Sequence, residues 1–228
     1  MSRFLSAAFH RVTGLLSTRA ATPQGVALPG KFQEYIAKAA QGDAEAQFNL
    51  GFCYDDGRGV AKDAAEAVKW YRKAAGQNFA PAQFNLGVCC ANGQGVAKDY
   101  GKAVKWFRQA AEQDYAPAQS NLGCCYDNGR GVMKDAVEAV KWYRRAAEQG
   151  HAEAQFNLGY CYANGQGVVK DKMEAYAWFS MAAKADSDAA QSRDLLRKEL
   201  TPQQFTDAQK RMKELRWQIA AKSKPSNP

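Results

Sequence analysis

The segment Ala46-Gln47-Phe48-Asn49-Leu50-Gly51 returns at 82–87, 118–123 and 154–159, each time after 36 residues, with Ser120 the one exchange at the Phe position. Trp70, Trp106, Trp142 and Trp178 keep the same step. Two anchors per unit at a period of this length specify stacked helical hairpins, because a lone hairpin cannot bury its apolar face and its neighbours complete it. The expected organisation is therefore one continuous array, in spite of a length of 228 residues that would allow two ordinary domains.

Within one unit, Asp43 is placed to cap a first helix over 44–56, its carboxylate accepting backbone N–H groups of the first turn. At 100° per residue, Ala46, Gln47, Leu50, Gly51, Cys53 and Tyr54 share one face, read as the packing face. Small Ala46 and Gly51 admit a neighbouring helix, so Gly51 is a contact residue and not a helix stop. Glu45, Phe48, Asn49, Phe52, Asp55 and Asp56 take the other face, and Asp55 and Asp56 read as a solvated helix end. Gly57-Arg58-Gly59-Val60, with its three recurrences, reads as a hairpin turn. It lacks the Gly-Lys-Ser/Thr ending and the strand of a phosphate-binding loop. Asp63 with Glu66, Asp135 with Glu138 and Asp171 with Glu174 follow the capping-box spacing, whereas Asp99 has Lys102 there. In the second helix Ala67, Trp70, Tyr71, Ala74 and Ala75 form the apolar stripe, and each Trp is read as core.

The pattern Ala-x-x-x-Leu-Gly-x-x-Tyr-x-x-Gly-x-Gly-Val-x-x-Asp, followed by Ala-x-x-Trp-x-x-x-Ala-Ala, resembles the Sel1-like repeat, a relative of the tetratricopeptide repeat, over Ala46 to about Ala185. The resemblance implies an all-α, right-handed α-solenoid of 36-residue helix-turn-helix repeats. Its first helices would line a concave groove, and its role would be that of an adaptor for a peptide or partner protein. Cys90 stands where Tyr54, Tyr126 and Tyr162 stand, an exchange expected to leave a small packing defect. The domain reading is a leader and linker over 1–30, a half repeat plus four full repeats over 31–187, C-terminal capping helices over 188–222 and a disordered tail over 223–228. Thr201-Pro202-Gln203-Gln204 supplies cap, first-turn proline and capping-box Gln for a last helix. Phe205, Ala208, Met212, Leu215 and Ile219 form that helix's single apolar seam, expected to seal the last repeat, the alternative being that it pairs with another chain.

The formal charge of +8 invites a nucleic-acid reading, but 31–187 holds 19 basic against 18 acidic residues. A basic stripe along the array is excluded, which argues against a nucleic-acid partner. No stretch reaches the ~18 consecutive apolar residues of a membrane span. Residues 1–22 contain no acid, and Leu5, Ala8, Phe9, Val12, Leu15 and Leu16 fall on one helical face. That segment reads as a frayed helical leader, an organelle transit peptide or a surface anchor, and carries whatever membrane association the chain has.

Cys53, Cys89, Cys125 and Cys161 occupy one position in successive units, about 8–10 Å apart at ordinary helix spacing, too far for direct disulfides. Some relatives pair a cysteine in each helix of one hairpin, and here the second helices have none. Reduced, buried thiols and a cytoplasmic location are expected, with Cys90 and Cys124 the two extras, for which a bond between neighbouring units is left open. His10 and His151 are the only histidines, so a nucleophile–base pair has little material and the chain is read as non-catalytic, without cofactor or metal. A β-lactamase-like hydrolase, known among relatives, lacks its Ser-x-x-Lys here.

The leading expectation is a monomeric protein-interaction adaptor. Its groove residues are drawn from the outward face of the first helices: Phe48, Phe84 and Phe156 in one row, Phe52, Val88 and Tyr160 in a second, and Asn49, Asn85, Asn121 and Asn157 in a third. The aromatic rows are expected to stand exposed as anchors. The Asn row has two readings, bonding a ligand backbone or bonding locally between hairpins. The other functional class left open is an assembly factor directed to an organelle or membrane by residues 1–22.

Overall fold

The structure, a computed structural model, describes residues 29–222, so residues 1–28 of the leader and linker and the last six residues lie outside the described residues, and Pro29 and Gly30, read as linker, open the first helix. The described residues form eleven helices: α1 Pro29–Ala40, α2 Ala44–Asp56, α3 Ala64–Gly76, α4 Ala80–Asn92, α5 Tyr100–Glu112, α6 Ala116–Asn128, α7 Ala136–Ala147, α8 Ala152–Asn164, α9 Lys172–Ala182, α10 Ser187–Arg197 and α11 Pro202–Lys222. No strand occurs among them. They divide into two compact units, 29–121 with 130–132, and 122–129 with 133–222.

Each repeat begins and ends by local chemistry. Asp43 Oδ1 accepts from Ala46 N–H at 2.6 Å and opens α2. Asp63, Asp99, Asp135 and Asp171 do the same for the second helices. The reciprocal half of the capping box does not form there. The Asp63 N–H donates instead to the Tyr54 carbonyl and the Asp171 N–H to that of Tyr162, which closes the hairpin turn. Glu66 and Glu138 are released to pair with Lys69 and Lys141. At Thr201 the box is complete: Gln204 N–H donates to Thr201 Oγ1 and Thr201 N–H to Gln204 Oε1.

The two glycines of each hairpin turn do different work. Gly93, at φ 74°, ends α4 in the left-handed conformation, its N–H on the Cys89 carbonyl. Gly95 lies so close to the start of α3 that a Cβ would stand 2.0 Å from the Ala64 carbonyl oxygen. Gly167 lies equally close to Ala136. A side chain there would force successive hairpins apart.

In the first unit α2 packs against α1 and α3, α3 against α4, and α4 against α5. In the second, α7 packs against α8, α8 against α9, and α9 against both α10 and α11. Gly51, Gly87, Gly123 and Gly159 sit where a Cβ would meet the rings of Tyr71, Phe107, Tyr143 and Phe179 at 2.6–2.9 Å. They are the contact residues expected of the first helices.

The expected two-faced first helix is not what forms. In α2 residues 46–53 and Asp55 are all buried, from both predicted faces. A helix apolar all round is covered all round. Asp55 and its counterpart Asp127 are buried too, and burial pushes the Asp127 carboxyl above the usual range against the pull of Lys134. In the second helices the fully buried ring is the one after Trp: Tyr71, Phe107, Tyr143 and Phe179. Trp70, Trp106 and Trp142 are half-buried, and Trp178 alone is core.

At the C-terminal end Ala208 and Leu215 of α11 are buried, and Phe205 meets Tyr176 of α9 edge to face at 5.5 Å. Arg211 of α11 pairs with Glu174 of α9. The seam thus covers the last regular hairpin, as its spacing predicts.

Candidate functional site

All ten residues placed in the groove are buried: Phe48, Asn49, Phe52, Phe84, Asn85, Val88, Asn121, Phe156, Asn157 and Tyr160. The exposed aromatic rows are therefore corrected to core. Phe48 lies 5.9 Å from Tyr71 and 5.5 Å from Phe79, ring centre to ring centre. Phe84 lies 5.8 Å from Phe107 and 5.6 Å from Tyr115, and Phe156 lies 5.6 Å from Phe179. The physical reason is double coverage: the second helix of the same hairpin lies on one side of the ring, and in the first unit the turn that follows lies on the other. Burial holds the Tyr115 phenol up at about 12.

A polar ladder that the sequence reading did not single out stitches the hairpins together. Gln47, Gln83, Gln119 and Gln155 are buried, and each donates from Nε2 to the carbonyl eight residues back, on Ala39, Ala75, Ala111 and Ala147. Gln77 Nε2 reaches Gln47 Oε1 at 2.9 Å, and Gln113 Nε2 reaches Gln83 Oε1 at 2.7 Å. The recurrence of Gln at a position otherwise read as apolar was the available signal, since a buried amide needs partners.

All six cysteines are buried thiols. Burial raises the pKa of Cys53, Cys90 and Cys161, so these thiols are poor thiolates. His151 caps α8, its Nδ1 accepting from Ala154 N–H at 3.3 Å, a structural use of one of the two histidines. Among the described residues no three His, Cys, Asp or Glu side chains group as metal ligands, and no helix is long and apolar enough to cross a membrane.

Among the described residues, clefts open to a ligand occur in the first unit. One of 470 Å³ is lined by Lys31, Glu34, Tyr35, Lys38, Glu45 and Asn49, so Asn49 alone of the ten predicted residues borders one of these clefts. A second, of 490 Å³, lies where Cys90 replaces Tyr, and is lined by Arg72, Leu86, Cys90, Val96, Lys102 and Trp106. The packing defect expected at Cys90 is thus a cleft with two cations and an indole on its walls. In the second unit Met133 is 86% exposed and Val169 87%, where the first two repeats have Ala61 and Ala97.

These geometries are those of tandem helical hairpins, a class of scaffold that commonly mediates protein–protein interaction and is generally non-catalytic. The Sel1 repeat model matches residues 44–79, 80–115, 116–151 and 152–187, and the chain belongs to the Sel1 repeat family. It is similar to a Sel1 repeat protein from Oxalobacter formigenes, at 43% identity and a TM-score of 0.66, over 70% of this chain and 66% of that one. It is also similar to c5321, a protective antigen with this fold from uropathogenic Escherichia coli, at 31% identity and a TM-score of 0.55, over 86% of this chain and 52% of that one. A 37-residue stretch is 49% identical to DAP3-binding cell death enhancer 1 of Rattus norvegicus, covering 16% of this chain and 7% of that protein. The chain thus spans under two thirds of the length of these relatives, and a very small part of the last.

Proposed function

We propose that the chain is a non-catalytic interaction scaffold that holds a peptide or a partner protein's surface in the clefts its hairpins form. The observation that supports it is the cleft of Arg72, Lys102 and Trp106. Trp and Arg are the residue types that carry most binding energy at protein interfaces, and a concave wall lets them desolvate around an inserted side chain. The seat differs from the Phe rows, whose rings are buried in the core.

The test is a complex reconstituted from the full chain and a purified partner first captured by it, titrated calorimetrically. Arg72→Ala with Lys102→Ala changes two exposed side chains. Melting is expected to be unchanged and affinity to fall about tenfold or more. Equal affinity of the double variant and the parent would place the partner elsewhere. A partner turned over rather than bound would overturn the non-catalytic reading.

A further inference from the structure

The repeat supplies its own template for what belongs in the Cys90 cleft. In the last repeat Tyr162 occupies the position of Cys90, and Arg144, the counterpart of Arg72, donates from Nη2 to its hydroxyl at 2.6 Å. The guanidinium carbon lies 5.7 Å from the ring centre. In the first repeat Tyr54 holds this position, edge to face with Phe32 at 5.9 Å and in the same apolar cluster as Trp70. In the second repeat the ring is gone, while Arg72, the counterpart of Arg144, and Leu86 and Trp106, the counterparts of Leu50 and Trp70, line the cleft at Cys90 together with Val96. Arg72 stands close enough to Cys90 to draw its pKa down against the effect of burial.

We infer that this cleft is a vacant aromatic slot and that it takes a tyrosine side chain from a partner, its ring entering beside Trp106 and Leu86 and its phenolic oxygen accepting from Arg72. A phenol fits better than a purely apolar ring, because the slot presents a cationic donor at the place where Arg144 meets a hydroxyl. Lys102, largely exposed and ion-paired with Asp99 at 3.3 Å, stands at the rim, which leaves Arg72 as the donor facing the ring. Tyrosine also suits the recognition role: it brings large apolar area at low entropic cost and one oriented polar group. The inference rests on the scaffold reading above in that the ring is carried by a partner.

The probe is p-cresol, the tyrosine side chain alone, titrated into the full-length 15N-labelled chain while the Trp106 indole resonance is followed, with toluene as the ring without oxygen. The parent is expected to shift saturably with p-cresol and about tenfold more weakly with toluene, the difference of one charge-assisted hydrogen bond. Cys90→Tyr fills the slot from within and should abolish the shift while raising the melting temperature. Arg72→Met, at an exposed position, should make p-cresol and toluene bind alike. No saturable shift in the parent, equal binding of the two probes to the parent, or a shift that survives in Cys90→Tyr would each overturn the slot. If the slot fails while the reconstituted partner complex still forms, the scaffold reading stands without it.

Discussion

The ring of Tyr143 lies against the backbone of Gly123, so close that a methyl on the glycine would stand 2.7 Å from both Cδ1 and Cε1. Tyr143 is fully buried and the Ala139 carbonyl closes the other side at 3.2 Å, so neither neighbour can yield cheaply. Gly123→Ala is expected to destabilise by about 1–3 kcal/mol, although alanine is intrinsically the better helix former by about 1 kcal/mol. In a Tyr143→Ala background the ring is gone and only the Ala139 carbonyl contact remains, so the same substitution should cost markedly less. Urea denaturation of the four-member cycle checks this: an equal Gly123→Ala effect in both backgrounds would mean the ring is not the obstacle.

The hydroxyl of Tyr143 has no hydrogen-bond partner among the described residues, and burial drives its pKa far above the ordinary phenol value. Phe107 and Phe179, at the same position in flanking repeats, fill the site without one. Tyr143→Phe is therefore expected to keep the packing and raise stability by about 1 kcal/mol, by removing a buried polar group that lost its water. A lower urea midpoint for Tyr143→Phe would show that the hydroxyl is satisfied in solution.

Phe84→Ser and Phe156→Ser are expected to lower stability by about 3 kcal/mol or more each, because both rings are fully buried, Phe84 between Phe107 and Tyr115 and Phe156 against Phe179. Far-ultraviolet circular dichroism melts of the single variants decide it. Melting close to that of the parent would return these rings to the surface.

The hairpin boundaries were legible because they rest on single residues with one physical use. Asp43 has a carboxylate where the first turn has unpaired N–H groups, and Gly93 has the left-handed φ that ends α4. The cleft at Cys90 was legible as a departure from the repeat's own pattern. The position of Phe48 was not, because a helical wheel reports which residues share a face and not how many neighbours cover the helix. Phe79, in the turn that follows α3, covers that ring from a place outside the wheel of either helix. The presence of large apolar residues on both faces of α2, Leu50 on one and Phe52 on the other, was the sign that the helix is enclosed. The Gln47–Gln77 bond was hidden for a related reason: it joins residues thirty apart whose pairing depends on how two hairpins stack.

His151 holds the place that Asp43 holds in the first repeat, and it caps α8 with a ring nitrogen that must be unprotonated to accept the Ala154 N–H. Burial lowers its pKa below the ordinary imidazole value of 6.5, so the folded chain resists a proton that the unfolded chain accepts. Between 6.5 and the lower folded value the unfolded state binds more protons, and stability therefore rises with pH there. The stabilisation is complete above 6.5, declines as the pH falls toward the folded value, and is lost below it. His151→Asp keeps an acceptor at the cap, as Asp43 does, and moves its titration to the carboxylate range. Urea midpoints taken from about one pH unit above the ordinary imidazole value downward should show a decline in the parent, starting near 6.5, that is missing from His151→Asp until carboxylates begin to titrate. Parallel curves for the two proteins through that window would mean that His151 takes up its proton without loss of the cap.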